Sequence, residues 1–242
     1  MEKCKEKNTV SSGYNSLDNI IEGFKPGTLV GVFSSGFMGR TSFLINLLIN
    51  CSYKCKIRFI PTEELPIIIY KKMNKISNSY KRENIFIDDN DIITYGRVGS
   101  IEDALIDLIL NCNEDIILID DCIQFHEDSF FKRLKNVAIS KKVTIIFTRQ
   151  LSRAIQYRCD KRPILSDCEG VDENCDTVIF IYRDEYWNAS YVKDCNDFGY
   201  RYYPEYSQIL PKVNVELIVA KNVGKTGTAH LFFDRRIGKY FE

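Results

Sequence analysis

Short apolar runs recur along the chain, and most of them end in polar or charged residues. Residues 28–33 (TLVGVF) follow Pro26-Gly27 and have the length and β-branched content of a buried strand. A polar loop containing glycines covers 34–39, and residues 41–50 (TSFLINLLIN) have helical spacing. The next run, 56–60, predicts a strand that ends in Pro61-Thr62-Glu63-Glu64, and Pro66 opens a helix reaching about Ile76. Residues 85–87 and 92–94 read as short strands around a polar 88–91 turn. Ser100 is placed to cap a helix whose apolar face is Ala104, Leu105, Leu108 and Ile109, with Glu102 and Asp103 in its first turn.

Three further continuous runs predict buried strands: 116–119 (IILI) before Asp120-Asp121, 143–147 (VTIIF) before Thr148-Arg149-Gln150, and 176–182 (DTVIFIY). Residues 215–220 and 229–233 predict a closing hairpin around Gly224 to Gly227. Apolar strands joined by helices imply an α/β fold, with a mainly parallel central sheet flanked by helices and an antiparallel hairpin at one edge. A length of 242 residues suits one such domain, expected over 12–242 behind a flexible leader at 1–11.

Composition narrows the function classes. Lys+Arg and Asp+Glu are both 33, so a chain that coats nucleic acid by bulk positive charge is not expected, although a local basic groove remains compatible. The nine cysteines are scattered and odd in number, and only two histidines are present, which favours free thiols over a zinc site. No apolar run approaches the ~20 residues needed to span a bilayer, so a cytoplasmic protein without membrane contact is expected.

Four groups of residues have the chemistry of a working site. The strand–loop–helix at 28–50 places Ser35, Gly36, Met38, Gly39, Arg40, Thr41 and Ser42 where a phosphate loop would sit. Glycines there let successive backbone N–H groups face phosphate oxygens, and a Thr or Ser hydroxyl serves Mg²⁺. By pattern alone the loop is equally compatible with an ordinary strand-to-helix turn, because Arg40 stands where Lys is usual and Ser34 where the first glycine is usual. Glu63 and Glu64 follow one strand, and Asp120 and Asp121 another. In a parallel sheet the carboxyl ends of strands gather at one edge, where one carboxylate can activate water and another can serve a metal; two solvated loops would look the same. Gln150, at the end of another strand, is placed either to sense a terminal phosphate or simply to begin a loop. The stretch 149–162 holds Arg149, Arg153, Arg158, Lys161 and Arg162 around Tyr157, either a nucleic-acid strip or a solvated face.

Taken in order, these pieces resemble the C-terminal motor domain of replicative DNA helicases of the DnaB type, a RecA-like P-loop NTPase. Gly13-Tyr14, Leu17-Asp18 and Gly23-Phe24-Lys25-Pro26-Gly27 are similar to that family's lead-in to its first strand. Glu64-Leu65-Pro66 resembles its Glu-Met-Pro, and Asp121-Cys122-Ile123-Gln124 its Asp-Tyr-Leu-Gln. Gln150-Leu151-Ser152-Arg153, Asp160-Lys161-Arg162-Pro163, Ser166-Asp167 and Tyr182-Arg183-Asp184-Glu185 follow the family's motifs in the same order. The resemblance implies ATP and Mg²⁺ as cofactors, with Glu64 as catalytic base, Arg40 and Gln150 at the phosphates, and Thr41 with Asp121 (or Asp120) at the metal. It further implies DNA contact through Arg153, Arg158, Glu169 and Gly170, a homo-oligomer, typically a hexameric ring, or a partner helicase, and movement on single-stranded DNA.

Three departures from the family bear on mechanism. Arg40 replaces the phosphate-loop Lys, so binding is expected to survive better than hydrolysis, because a planar fork cannot take the place of a compact ammonium. Only Cys168-Glu169-Gly170-Val171 separates Ser166-Asp167 from Asp172, a shorter channel loop than the family's and one without its Arg. Lys221 and Lys225 stand where the family's Lys-x-Arg supplies a finger to the neighbouring subunit. The family's N-terminal helical domain is not expected in this chain. The competing reading is a helicase-like subunit that binds nucleotide and modulates a partner ring or DNA without unwinding. A RecA-like recombination or clock-type ATPase fits the later motifs less well.

Overall fold

A computed structural model describes residues 9–62, 64–89, 100–122, 128–188 and 212–242. The expected strand at 92–94, Glu63, Gln124 and most of the leader lie outside the described residues.

The strands are β1 (Leu29–Ser34), β2 (Ile57–Pro61), β3 (Ile85–Ile87), β4 (Ile116–Asp120), β5 (Thr144–Gln150), β6 (Thr177–Tyr182), β7 (Lys212–Lys221), β8 (Gly227–Asp234) and β9 (Lys239–Phe241). They form one sheet in the order β3-β2-β4-β5-β1-β6-β7-β8-β9. The pairings from β3 through β6 are parallel, and β7, β8 and β9 add antiparallel strands at one edge. This is the fold expected from the run pattern. The parallel strands are apolar on both faces because helices cover both.

The helices are α1 (Asn15–Ile21), α2 (Arg40–Cys51), α3 (Pro66–Ile76), α4 (Ile101–Asn111), α5 (Asp128–Lys141) and α6 (Asp184–Asn188). Alternation along each strand sorts the core into two halves. Val30, Val32, Ile116, Leu118, Ile146, Ile179 and Ile181 pack with α1, α2 and α3. Leu29, Phe33, Ile117, Ile119, Ile145, Phe147 and Phe180 pack with α4 and α5 on the other face. Ser100 caps α4 as expected, its hydroxyl accepting from the Asp103 N–H at 3.1 Å.

The structure adds elements that the run pattern did not single out. The helix α5 buries Phe130, Phe131, Leu134, Val137 and Ala138, at helical spacing. The strand β9 has only three residues and follows a turn through Gly238, φ +74°. Its short length gives no periodicity to read, yet its Tyr240 reaches the loop described next.

Candidate nucleotide site

Four parallel strands bring their carboxyl ends to one edge. β1 pairs with β5 so that Ser34 stands opposite Gln150, and β2 pairs with β4 so that Pro61 stands opposite Asp120. Thr62 ties two of these ends together, its hydroxyl lying 2.7 Å from the Asp120 carbonyl oxygen and 2.9 Å from that of Asp121. The topology thus gathers the loop, both aspartates, Gln150 and Glu64 at the edge where open α/β sheets bind ligands.

The loop itself turns through two left-handed residues, Phe37 at φ +61° and Gly39 at φ +100°, before α2 begins. A Cβ at Gly39 would lie 2.7 Å from the Tyr240 hydroxyl, so the position requires glycine both for its backbone angle and for space. Met38 is buried as a whole, and the Gln150 amide packs over Gly36. Ser42 sits against Gly238 in the turn before β9.

Arg40, 11% exposed, lies across the mouth of this loop. One terminal nitrogen donates to the Ser34 and Ser35 carbonyl oxygens at 3.0 and 3.1 Å. The other pairs with the Asp121 carboxylate at 3.0 Å and reaches the Gln150 amide oxygen at 3.5 Å. The guanidinium fork therefore links three strand ends, which a compact ammonium cannot do.

The two aspartates differ sharply. Asp120 ends β4 and is 6% exposed. It accepts from the Thr148 hydroxyl at 3.0 Å and is also hydrogen-bonded to the Thr41 side chain. Burial pushes its carboxyl up to about 6; the Thr41 and Thr148 hydrogen bonds oppose the shift, the Asp121 charge adds to it, and Arg40 opposes it. Asp121 takes a left-handed φ of +60°, donates its N–H to the Thr148 hydroxyl at 2.7 Å, and turns its carboxylate to Arg40. Thr41 is thus brought to Asp120, and Arg40 to Asp121. Glu64 ion-pairs with Lys72 of α3 through Oε1, and its buried Oε2 has no hydrogen-bond partner among the described residues.

The family model for the DnaB-like helicase C-terminal domain matches residues 60–242. The chain belongs to that family. A probable replicative DNA helicase of Trieres chinensis is 27% identical across 96% of the chain, and the replicative DNA helicase DnaC of Bacillus subtilis 25% identical across the same share. That coverage carries the likeness across the loop at 34–42, upstream of the span matched by the family model. The chain spans 57% and 56% of the length of these two relatives. A DnaB-like replicative helicase, solved for its interactions with primase, superposes with a TM-score of 0.69 at 23% identity, covering 97% of this chain and 62% of that one. A KaiC-like protein of Pyrococcus horikoshii superposes at 0.60 and 17% identity, with 97% of this chain and 98% of that chain covered. These likenesses place the DnaB-like domain among RecA-like ATPase folds.

The remaining residues that the DnaB resemblance singled out lie apart from the cradle. Arg153 is exposed on a 3-10 turn, Arg153–Tyr157. Arg158 is held internally by Asp167 at 2.8 Å and by the carbonyl oxygens of Asp160 and Arg162. Glu169 and Gly170 are successive left-handed residues, and Glu169 lies 3.6 Å from Arg149. Lys221 donates to the Asp172 carbonyl oxygen at 2.7 Å, whereas Lys225 stands exposed at the β7–β8 tip. Two side chains at the loop had no role assigned from sequence. Arg183 donates to the Phe37 carbonyl oxygen at 3.2 Å, and the Tyr240 hydroxyl lies 3.2 Å from that of Gly39. Arg183 was visible as the charged residue ending an apolar strand; nothing local marked Tyr240.

Proposed function

We propose that this chain is an ATP-dependent motor of the replicative DnaB type, whose cradle binds ATP and couples its hydrolysis to movement on single-stranded DNA within an oligomer. The observation that carries the reading is the convergence of Thr41, Asp120 and Gln150 on one glycine-turned loop at the carboxyl edge of the sheet.

The loop's N–H groups and the start of α2 bind and orient phosphate oxygens. A hydroxyl and a single carboxylate at Thr41 and Asp120 are hard oxygen donors. They suit Mg²⁺, which keeps most of its water and phosphate ligands, and Asp120 takes this role in preference to Asp121. Bound there, Mg²⁺ supplies charge neutralisation on the phosphates. Glu64 serves as the base for the attacking water: the Lys72 ion pair holds one carboxylate oxygen, and the other, buried and without a partner among the described residues, is the one left to take the proton. Gln150, adjoining both Gly36 and Arg40, senses the terminal phosphate. Arg40 supplies positive charge, but both of its terminal nitrogens are engaged with Ser34, Ser35 and Asp121, so turning either of them to phosphate costs one of these contacts. Turnover is accordingly set below that of a lysine-bearing loop. Arg153 with the Glu169-Gly170 turn forms the DNA-facing surface, and the exposed Lys225 is better placed than Lys221 to reach a neighbouring subunit.

Calorimetric titration with ATP, with and without Mg²⁺, tests the cradle. Mg²⁺-dependent binding that is lost in Thr41→Ala is the expected result; no binding by the unaltered protein would remove the proposal.

A further inference from the structure

We propose that Arg183 and Tyr240 are positioning residues that turn the phosphate loop's N–H groups toward the ligand by gripping its carbonyl groups from behind. The proposal rests on the reading of this loop as a phosphate cradle. Peptide units are planar and trans, so the carbonyl of one residue and the N–H of the next point in opposite directions. Arg183 Nη1 donates to the Phe37 carbonyl oxygen at 3.2 Å. The Tyr240 hydroxyl is 3.3 Å from the Met38 carbonyl oxygen and 3.2 Å from that of Gly39, and it donates its single proton between them. The Gly39 carbonyl oxygen also accepts the Phe43 N–H at 2.9 Å, the first bond of α2. The carbonyls of Phe37, Met38 and Gly39 are therefore all held, and the planar peptides turn the N–H groups of Met38, Gly39 and Arg40 to the opposite side.

Both gripping side chains are themselves fixed. Arg183 is 5% exposed and Tyr240 2%. Arg183 Nε donates to Glu185 at 2.8 Å, and Arg235 donates to the same carboxylate oxygen at 2.7 Å. Burial raises the Tyr240 phenol far above its usual range, so it remains a proton donor. Its backbone N–H donates to Asn46 of α2 at 3.1 Å, and the Asn46 amide donates to the carbonyl oxygens of Ser42 and Gly238 at 2.7 and 2.8 Å. The loop and the β8–β9 turn are thereby joined at two levels. The Tyr240 hydroxyl occupies the space that any Cβ at Gly39 would need, which couples the glycine to the grip. Phe37, an aromatic residue in a left-handed conformation at 74% exposure, receives its fixing contact through its carbonyl oxygen.

The test uses Tyr240→Phe, which removes one oxygen and keeps the ring; Arg183→Ala; and Arg183→Lys, which retains a donor. Thr177→Val, which removes a comparable buried hydroxyl bond to Asn222 beyond the far end of the sheet from the loop, is the control for general destabilisation. Affinity for Mg²⁺ with a fluorescent ADP analogue and backbone order parameters of residues 37–40 in ligand-free protein are measured in parallel. Each of Tyr240→Phe and Arg183→Ala is expected to weaken binding about five- to tenfold, the scale of one hydrogen bond. Both should lower the order parameters of Met38, Gly39 and Arg40. Arg183→Lys should recover part of each loss, and Thr177→Val should change neither. Unchanged order parameters in Tyr240→Phe and Arg183→Ala overturn the grip, as does an equal loss of affinity in Thr177→Val. Failure of the unaltered protein to bind nucleotide removes the cradle reading instead, and the order parameters still decide the grip.

Discussion

Asp120→Asn should make the protein more stable at neutral pH while abolishing Mg²⁺-dependent nucleotide binding. Asp120 is almost wholly buried at the end of β4, and burial raises its carboxyl from an ordinary 3.8 to about 6. Between those values the unfolded chain sheds its proton while the folded chain keeps one. The raised carboxyl therefore contributes stability that is full below pH ~4 and lost as the pH rises through ~6. The difference of roughly two pH units corresponds to about 3 kcal/mol at about 1.4 kcal/mol per unit. Asn is neutral throughout, can still accept from Thr148, and can donate to Thr41. Allowing for imperfect replacement of those bonds, a net gain of about 2 kcal/mol is expected above pH 7, or about 4–8 °C in Tm for a chain of this size. Urea melts of both proteins at pH 4, 5, 6 and 7.5 measure it, with the gap opening as the pH rises. A variant less stable than the parent by the same amount at every pH would refute the reasoning, since Arg40 and the two hydroxyls would then compensate the buried charge fully. A stabilised variant that still bound Mg²⁺-nucleotide would take the metal away from Asp120.

Two further substitutions probe the loop. Arg40→Lys frees Asp121 and Gln150 and offers a compact ammonium to phosphate, so steady-state ATP turnover should rise at least about tenfold, the equivalent of about 1.4 kcal/mol in the barrier; a fold-neutral variant with no gain would mean that the fork is not what limits turnover. Gly39→Ala places a Cβ 2.7 Å from the Tyr240 hydroxyl at φ +100°. A loss of about 2–4 kcal/mol in denaturant melts is expected, together with loss of nucleotide affinity; a melt within experimental scatter of the parent would show that the loop is not fixed by the β8–β9 turn.

The parallel half of the sheet was legible because strands buried on both faces carry uninterrupted apolar runs, as 116–119 and 143–147 do. The order of the motifs was legible too. The pairing of charges was not. Two adjacent aspartates leave a sequence without direction, and what separates them is where β4 stops. Asp120, the last strand residue, turns inward to Thr148 and Thr41, and the left-handed backbone of Asp121 sends its carboxylate to Arg40. Arg40 reads in sequence as a simple replacement of Lys. In the fold it is a bridge from loop to Asp121 and Gln150, because the guanidinium is long enough to reach two other strand ends. Tyr240 was invisible for a different reason: it meets the loop through a contact about 200 residues away in sequence, on a strand too short to announce itself.

A motor of the proposed kind turns over ATP in its cradle in step with DNA. The most direct test is ATP hydrolysis by the purified protein with and without single-stranded DNA, beside Glu64→Gln. Slow turnover that DNA stimulates and that disappears in Glu64→Gln, with nucleotide binding intact in both, is the expected result. Nucleotide binding without any turnover, in the presence or absence of DNA, would contradict it.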